Sequence, residues 1–560
     1  MLQEPLFQKN ILATIVRNFG FYLSYTNWFY YGLGIISTIT VAVWLLKITK
    51  ADKQTYLFAN GYFPLNQHSA HIFAGIIYCF LTFGIYIINT FYQEASLFNN
   101  YDLMNVNNTS IFSTGVAAVC NMYRINPLNS FDTNIIYAIT HNYQIINIYI
   151  IAKQALVLWL LYCFLSDIQV QRRLLIIGTL TLIPAFFWVN NIIFPEQNLL
   201  IFMLSGFIFL RKYTQKGLFR YLWLSVFFTV LAIYIKELAV IFYGALLIYC
   251  LLCYIYQEKI NLSNIFRPWK LAHSFPFEFT TFLALGSFAL FYLFTTLGID
   301  DNVYVTMRRL SFSELFRLYI IEIMLTITGW LTFAKKIIYK EKFEGTIFNE
   351  GLLFAATGII LFLLFLLQIS PGMSPSHKSY YAILCSTFSL VYTLRNLKSN
   401  KAIILFLTLI ISISLIINYQ NLSKENGKHY KEVAEFISSR LETSENITIC
   451  IAKNAEENPW IYESWSSAYS YYFPNKNIIF KFDWLNQNYY TNMQTYRQYY
   501  LARKMTKISP KPPAEGDYYI AKKTSPKYEK DIKDIQNFNY QKVFENKIFE
   551  IYILNSMKEP

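Results

Sequence analysis

Apolar runs of about twenty residues alternate with short stretches rich in lysine and arginine, and the alternation continues from residue 28 to residue 418. A helix rising about 1.5 Å per residue needs that length to cross a hydrocarbon core of about 30 Å. The pattern predicts membrane-crossing helices at 28–48, 71–91, 143–165, 173–192, 197–211, 218–236, 237–256, 277–297, 317–337, 350–368, 379–395 and 401–418. Beyond residue 419 the period changes. "YKEVAEFISSRLE" (430–442) spaces its apolar residues for an amphipathic helix, and "NITICIA" (446–452), "NIIFKF" (477–482), "DYYIAKK" (517–523) and "KIFEIYIL" (547–554) read as strands. The predicted organisation is an N-terminal segment with one extra helix (1–70), a transmembrane domain (71–418) and a small α/β domain (419–560).

Composition narrows the class. With 55% hydrophobic, 19% aromatic and 15% charged residues, and a mean hydropathy of +0.31, the chain departs from a soluble enzyme toward an α-helical polytopic membrane protein of about 11–12 spans. The net charge of +14 does not point to nucleic acid, because the basic residues lie between apolar runs and form no patch on a soluble face. The seven cysteines are scattered and show no disulfide framework, and Cys250 and Cys253 have redox spacing inside an apolar run, where packing explains them. Residues 1–27 lack the compact apolar core of a cleavable signal.

Orientation follows from the basic residues, which favour short cytoplasmic loops. Alternate loops hold Lys47, Lys50 and Lys53, then Arg172 and Arg173, then Arg211, Lys212, Lys216 and Arg220, then Lys259, Arg267 and Lys270, then Lys335, Lys336, Lys340 and Lys342, then Arg395, Lys398 and Lys401. The intervening loops carry only Arg124, Lys236, Arg308, Arg309 and Lys378. The first set is therefore expected inside, and the 92–142 loop and the C-terminal domain outside. The N-terminus stays open: Lys9 and Arg17 against Glu4 favour the cytoplasm, whereas twelve crossings and an external tail require it outside.

"TVLAIYIKELAVIFYGALL" (229–247) places Lys236 and Glu237 in the middle of a 218–256 apolar run. A charge at the bilayer centre costs about 2.5–3.5 kcal/mol on insertion scales, so the pair is expected at the external apex of a hairpin. Two readings stand for Lys236: the polar residue of a turn, or a cation facing an anionic group.

The layout resembles the GT-C class of integral-membrane glycosyltransferases: many spans, a long first external loop ("YQEASLFNNYDL" onward) and an external C-terminal globule. The resemblance implies transfer of a hexosyl or pentosyl group from a polyprenyl-phosphate donor to a lipid, glycan or protein acceptor outside the cytoplasm. The partners are then the lipid-linked donor, membrane lipids and the acceptor, and no nucleic acid. Carried over residue by residue, it designates Glu94 in "INTFYQEASLF" as catalytic base with Asp102 in reserve. It also designates Glu196 in "NNIIFPEQNLL", the Lys236–Glu237 apex, Arg308 and Arg309 in "IDDNVYVTMRRLSF", and His377, Lys378, Tyr380 and Tyr381 in "SPGMSPSHKSYY" around the donor phosphate. The chemistry needs such a set, because the acceptor hydroxyl must lose a proton while cations meet the departing phosphate. Plainer readings stand beside these: Glu94 as a juxtamembrane cap, Glu196 as a turn residue after Pro195, and His377 and Lys378 as interface anchors. No metal is obligatory, since those loops lack clustered carboxylates; a divalent ion between Glu94 and Glu196 is compatible with the resemblance.

Other classes share some features. A transporter would place ionisable residues at mid-membrane and show related halves, neither of which is seen here. An O-antigen polymerase or ligase carries its long external loop late in the chain, and here it comes early. Abundant Lys, Asn and Ile suit an AT-rich bacterial genome, so the expected location is the bacterial inner membrane with the C-terminal domain in the periplasm or outside.

Overall fold

The computed structural model describes residues 28–50, 132, 135–136, 139, 143–188, 196–256, 268–296, 316, 319–339, 347–369, 382–397, 400–424, 427–444, 446–452, 477–481, 507–509, 513–525 and 528–557. The chain is mostly helical, with a small sheet near its C-terminus. It forms two units, one of residues 1–82, 113–132 and 147–421, the other of 83–112, 133–146 and 422–560.

The described helices of the first unit are α1 (Trp28–Ile48), α2 (Tyr143–Phe164), α3 (Val170–Leu182), α4 (Pro184–Trp188), α5 (Glu196–Lys216), α6 (Phe219–Ile235), α7 (Glu237–Tyr256), α8 (Pro268–Ser274), α9 (Pro276–Thr296), α10 (Ile320–Ile338), α11 (Ile347–Ile369), α12 (Ile383–Asn396) and α13 (Asn400–Lys424). They follow the apolar runs closely, with two differences: α8 forms in the stretch expected as a loop between the 237–256 and 277–297 runs, and one run is broken in two. The run expected as a single helix at 173–192 breaks at Ile183, whose backbone turns extended (ψ 133) ahead of Pro184. Proline disfavours helical geometry in the residue before it, so α3 stops and α4 restarts. Gly217 ends α5 with φ 69, its N–H donating to Tyr213 O at 2.7 Å, a left-handed cap that glycine adopts without strain. The 71–91 run lies outside the described residues.

One continuous apolar core joins these helices. Against α7, the helix α11 presents Gly351 and Gly358, where an added Cβ would meet Leu246 Cδ1 at 2.6 Å and Ala245 Cβ at 3.1 Å. Small residues there let the two helices approach closely. Among the described residues α7 is the one helix that combines at least eighteen residues with strong apolarity, at a mean hydropathy of 2.4. Outward faces are nonetheless apolar on several helices: Ile36, Ile148, Phe282, Leu331 and Leu405 are all at least 62% exposed. Asp132, Lys153, Arg173, Glu196, Lys236, Glu322 and Glu350 are buried.

Helix ends that the lysine and arginine pattern groups together are ends that touch. At one level Arg172 Nη1 donates to Leu397 O (3.1 Å), Arg395 Nη2 reaches Asp167 (2.9 Å), Tyr254 OH donates to Glu278 (2.5 Å), and His273 Nδ1 contacts Thr49 O (2.8 Å). At the other level the start of α5 meets the end of α6.

The second unit contains α14 (Gly427–Thr443), β1 (Asn446–Ile451), β2 (Asn477–Lys481), β3 (Lys507–Ser509), β4 (Tyr518–Lys522), α15 (Tyr528–Lys533), β5 (Phe538–Glu545) and β6 (Phe549–Met557). The sheet order is β3-β2-β1-β4-β6-β5, parallel from β3 to β4 and antiparallel through β6 and β5. Val433, Ile437 and Leu441 of α14 share a core with Ile447, Ile449 and Ile451 of β1. In water each such buried side chain contributes about 1.5–3 kcal/mol. The α/β prediction therefore holds, and three elements add to it. β3, α15 and β5 are too short or too polar to read from spacing; β5 buries only Phe538. The aromatic stretch 459–476 lies outside the described residues.

Candidate functional site

A buried polar group of the first unit lies where α5 begins. Glu196, fully buried, opens the first turn of α5, and Lys236 closes α6 with an extended backbone (φ −159, ψ 145) before Glu237 starts α7. Ala239 N–H donates to Lys236 O at 3.0 Å, so the chain resumes helix at once. The ammonium of Lys236 donates to Glu196 Oε1. The anion in front of Lys236 is thus a side chain forty positions away in sequence. Glu196 Oε2 stays buried without a hydrogen-bond partner among the described residues.

Two neighbours of Glu196 extend the group. Gln197 Nε2 donates to Gln154 Oε1 on α2 at 3.1 Å. One position earlier on α2, Lys153 donates to Asp132 Oδ2 at 2.6 Å, and Tyr149, one turn before it, donates to the same oxygen at 2.7 Å. Burial alone would raise the Asp132 carboxyl. The Lys153 charge, the hydrogen bonds from Lys153 and Tyr149 and the Asn198 amide outweigh it and hold Asp132 below its ordinary value. The middle of α2 and the first turn of α5 are thus joined twice, by Gln197 to Gln154 and by Asn198 to Asp132, and the same turn of α5 carries Glu196 to Lys236.

Chemically this set balances two carboxylates against two ammonium groups and leaves a carboxylate oxygen and the Gln154 Nε2 without partners. Unpartnered buried polar atoms of this kind are costly, and they mark places where water or a ligand supplies the missing bonds. Glu237, half-buried at the start of α7, adds a further carboxylate beside Glu196. Among the described residues no group of three or more His, Cys, Asp or Glu side chains gathers as metal ligands.

Of the residues expected at a site, Glu196, Lys236 and Glu237 are brought together here. Glu94, Asp102, Arg308, Arg309, His377, Lys378, Tyr380 and Tyr381 lie outside the described residues. Sequence reading passed over Asp132, Tyr149, Lys153 and Gln154. A usable signal existed: Asp132 is the third acid of the long loop, and Tyr149 and Lys153 stand four apart on the helix that follows it.

A second cluster occupies the opposite helix ends. Asp167, between α2 and α3, receives Arg211 Nη2 at 3.3 Å and Arg395 Nη2 at 2.9 Å. Arg211 Nη1 also donates to Phe164 O (2.8 Å) and Ser166 Oγ (3.1 Å), while Arg173 donates to Ile168 O (2.5 Å) and Ser166 O (2.7 Å). Burial pushes the Asp167 carboxyl up, but the two guanidinium charges prevail and its value is lowered. Arg211 ties the Asp167 charge to a backbone carbonyl, Arg395 ties it to the Asn349 side chain, and Arg173 holds backbone carbonyls alone. No family model matches this chain, and no curated protein matches it.

Proposed function

We propose that this protein is a polytopic membrane glycosyltransferase of GT-C layout, which moves a hexosyl or pentosyl group from a polyprenyl-phosphate donor to an acceptor on the non-cytoplasmic face. The observation that carries the reading is the buried group of Asp132, Lys153, Gln154, Gln197, Glu196 and Lys236, which joins the middle of α2 to the helix ends of α5 and α6 assigned to the outside, in a bundle whose outward faces are apolar. Exposed apolar faces around buried charges suit a lipid solvent and not water.

In the proposed reaction a carboxylate takes the acceptor hydroxyl proton as the acceptor oxygen bonds to the sugar C1. The C1–O bond to phosphate breaks, and polyprenyl phosphate leaves with the bonding electrons. The resemblance gives the base role to Glu94. Asp132 is engaged by Lys153 and Tyr149 and suits positioning better than proton transfer. Because the described group has no surplus positive charge, the departing phosphate needs further cations, and Arg308, Arg309 and Lys378 are the ones the resemblance supplies.

The test is transfer of radiolabelled sugar from cell-derived polyprenyl-phosphate donors by purified wild type and Glu94→Gln. Loss on the order of 10²–10⁴-fold in a folded variant is expected. Equal turnover would move the base elsewhere, and no turnover by wild type across a broad donor panel would remove the transferase reading.

A further inference from the structure

The three other buried acids of the helical unit, Asp132, Glu196 and Glu350, each face a lysine (Lys153, Lys236 and Lys336). Glu322 does not. It lies in the first turn of α10 at 3% exposure, and among the described residues no lysine, arginine or histidine stands within ion-pair distance of it. One hydroxyl meets its carboxylate, and two more follow it along the seam between α10 and α12. Ser386 Oγ, on the first turn of α12, donates to Glu322 Oε1 at 3.0 Å. Thr326 Oγ1, one turn along α10, donates to Glu322 O at 2.8 Å and lies 3.3 Å from both Ser389 Oγ and Cys385 Sγ. Ser386, Ser389 and Cys385 are fully buried.

The remaining ionisable groups on the packed helices belong to the far ends: Lys335 and Lys336 of α10, Glu350 of α11, Arg395 of α12, and Arg172 and Arg173 of α3. Tyr392 of α12 lies beside Lys336 at that same end. Among the described residues the titratable groups near Glu322 are Cys385 on α12 and Tyr319, which caps α10. A bare carboxylate in such a place is strongly disfavoured, and a single hydroxyl bond does not offset the lost hydration. A small cation does. The available donors are a carboxylate and hydroxyl oxygens, which are hard ligands, and their single negative charge suits a monovalent ion better than a divalent one.

We propose that Glu322, with Ser386, Thr326 and Ser389, forms a binding site for a monovalent cation, a sodium ion or a proton, between α10 and α12. The bound cation links the two helices and so couples their packing to its occupancy. This site shares no residue with the Asp132–Lys236 group, and its test needs no transfer activity.

The full-length protein, purified in lipid nanodiscs, is unfolded thermally across a sodium chloride series, with choline chloride holding ionic strength constant. Its carboxyl infrared absorption is recorded as wild type minus Glu322→Gln. A sodium site gives a melting temperature that climbs with sodium in wild type and stays flat in Glu322→Gln, and Ser386→Ala should raise the sodium concentration needed by about tenfold or more. A proton site gives a protonated carboxyl band at neutral pH that disappears in Glu322→Gln, with no sodium dependence. An ionised carboxyl at neutral pH together with a sodium-independent melting temperature overturns the proposal.

Discussion

The two ends of the helical unit solve the same problem in opposite ways. Where α2 gives way to α3, Asp167 is shared by Arg211 and Arg395; Arg211 also donates to Phe164 and Ser166 and Arg395 to Asn349, while Arg173 holds the Ser166 and Ile168 carbonyls. Where α5 begins, Glu196 and Asp132 are each matched to one lysine, and the orphaned atoms include a carboxylate oxygen. Arginine's planar fork ties carboxylate and backbone at once, which fixes a loop; lysine is a point charge that leaves the carboxylate with acceptor capacity. Both ends keep buried polar atoms without a partner among the described residues, so they differ in kind: the first leaves donors over, Arg173 Nη1 and Arg395 Nε, and the second leaves over an acceptor, Glu196 Oε2.

That contrast can be broken experimentally. The largest effect is expected from Asp167→Ala, which leaves two buried guanidiniums uncompensated and should cost about 3–5 kcal/mol of stability. Denaturant unfolding in detergent would check it, and transfer per folded molecule should stay near wild type. A loss of transfer with unchanged stability would reverse the assignment of the two ends.

A double-mutant cycle on Glu196→Gln and Lys236→Met sharpens the other side. Each single change should destabilise by roughly 3–5 kcal/mol because it strands the partner, while the double variant should lose less than the sum. Additive losses would mean that the pair is not coupled.

Packing between the ends supplies a control. Gly358→Leu on α11 forces side-chain atoms into the space held by Ala245 of α7 and should cost about 1–3 kcal/mol without altering either ion cluster. A lower unfolding midpoint in detergent with an unchanged Glu196–Lys236 coupling energy is the expected result.

The smallest effect lies in the C-terminal unit. Hydrogen bonds from Lys523 and Lys542 draw the exposed Glu545 carboxyl down to about 2 from 4.5. A depressed carboxyl contributes stability above its unfolded value, and the contribution is lost as pH falls from about 4.5 toward 2. Hydrogen exchange of the β5–β6 hairpin should accelerate over that window, more weakly at high salt, and the acceleration should flatten in Lys542→Met. An unchanged profile in that variant would show that other carboxylates govern the acid response.

Much of the fold was legible because its signals are local. Runs of apolar residues predicted the helices, and the 3.6-residue and two-residue periods predicted α14, β1, β2, β4 and β6. β3 and β5 were not, since Lys507–Ser509 is three residues long and β5 is held by pairing to β6 and not by burial. For the site, the break between two helices at Lys236 followed from run length alone. The partner of Lys236 did not, because Glu196 is reached only when α5 and α6 pack side by side.

By itself, the sequence determined that this chain is helical and apolar with a separate α/β tail, and where its charged helix ends fall, since these follow from hydropathy and period. Only the tertiary structure decided which charges meet. It joined Asp132 to Lys153, Glu196 to Lys236 and Asp167 to two arginines, and it left Glu322 among hydroxyls. The physical reason is that an ion pair forms between helices brought together by the packing of their whole lengths, and no local pattern records that geometry.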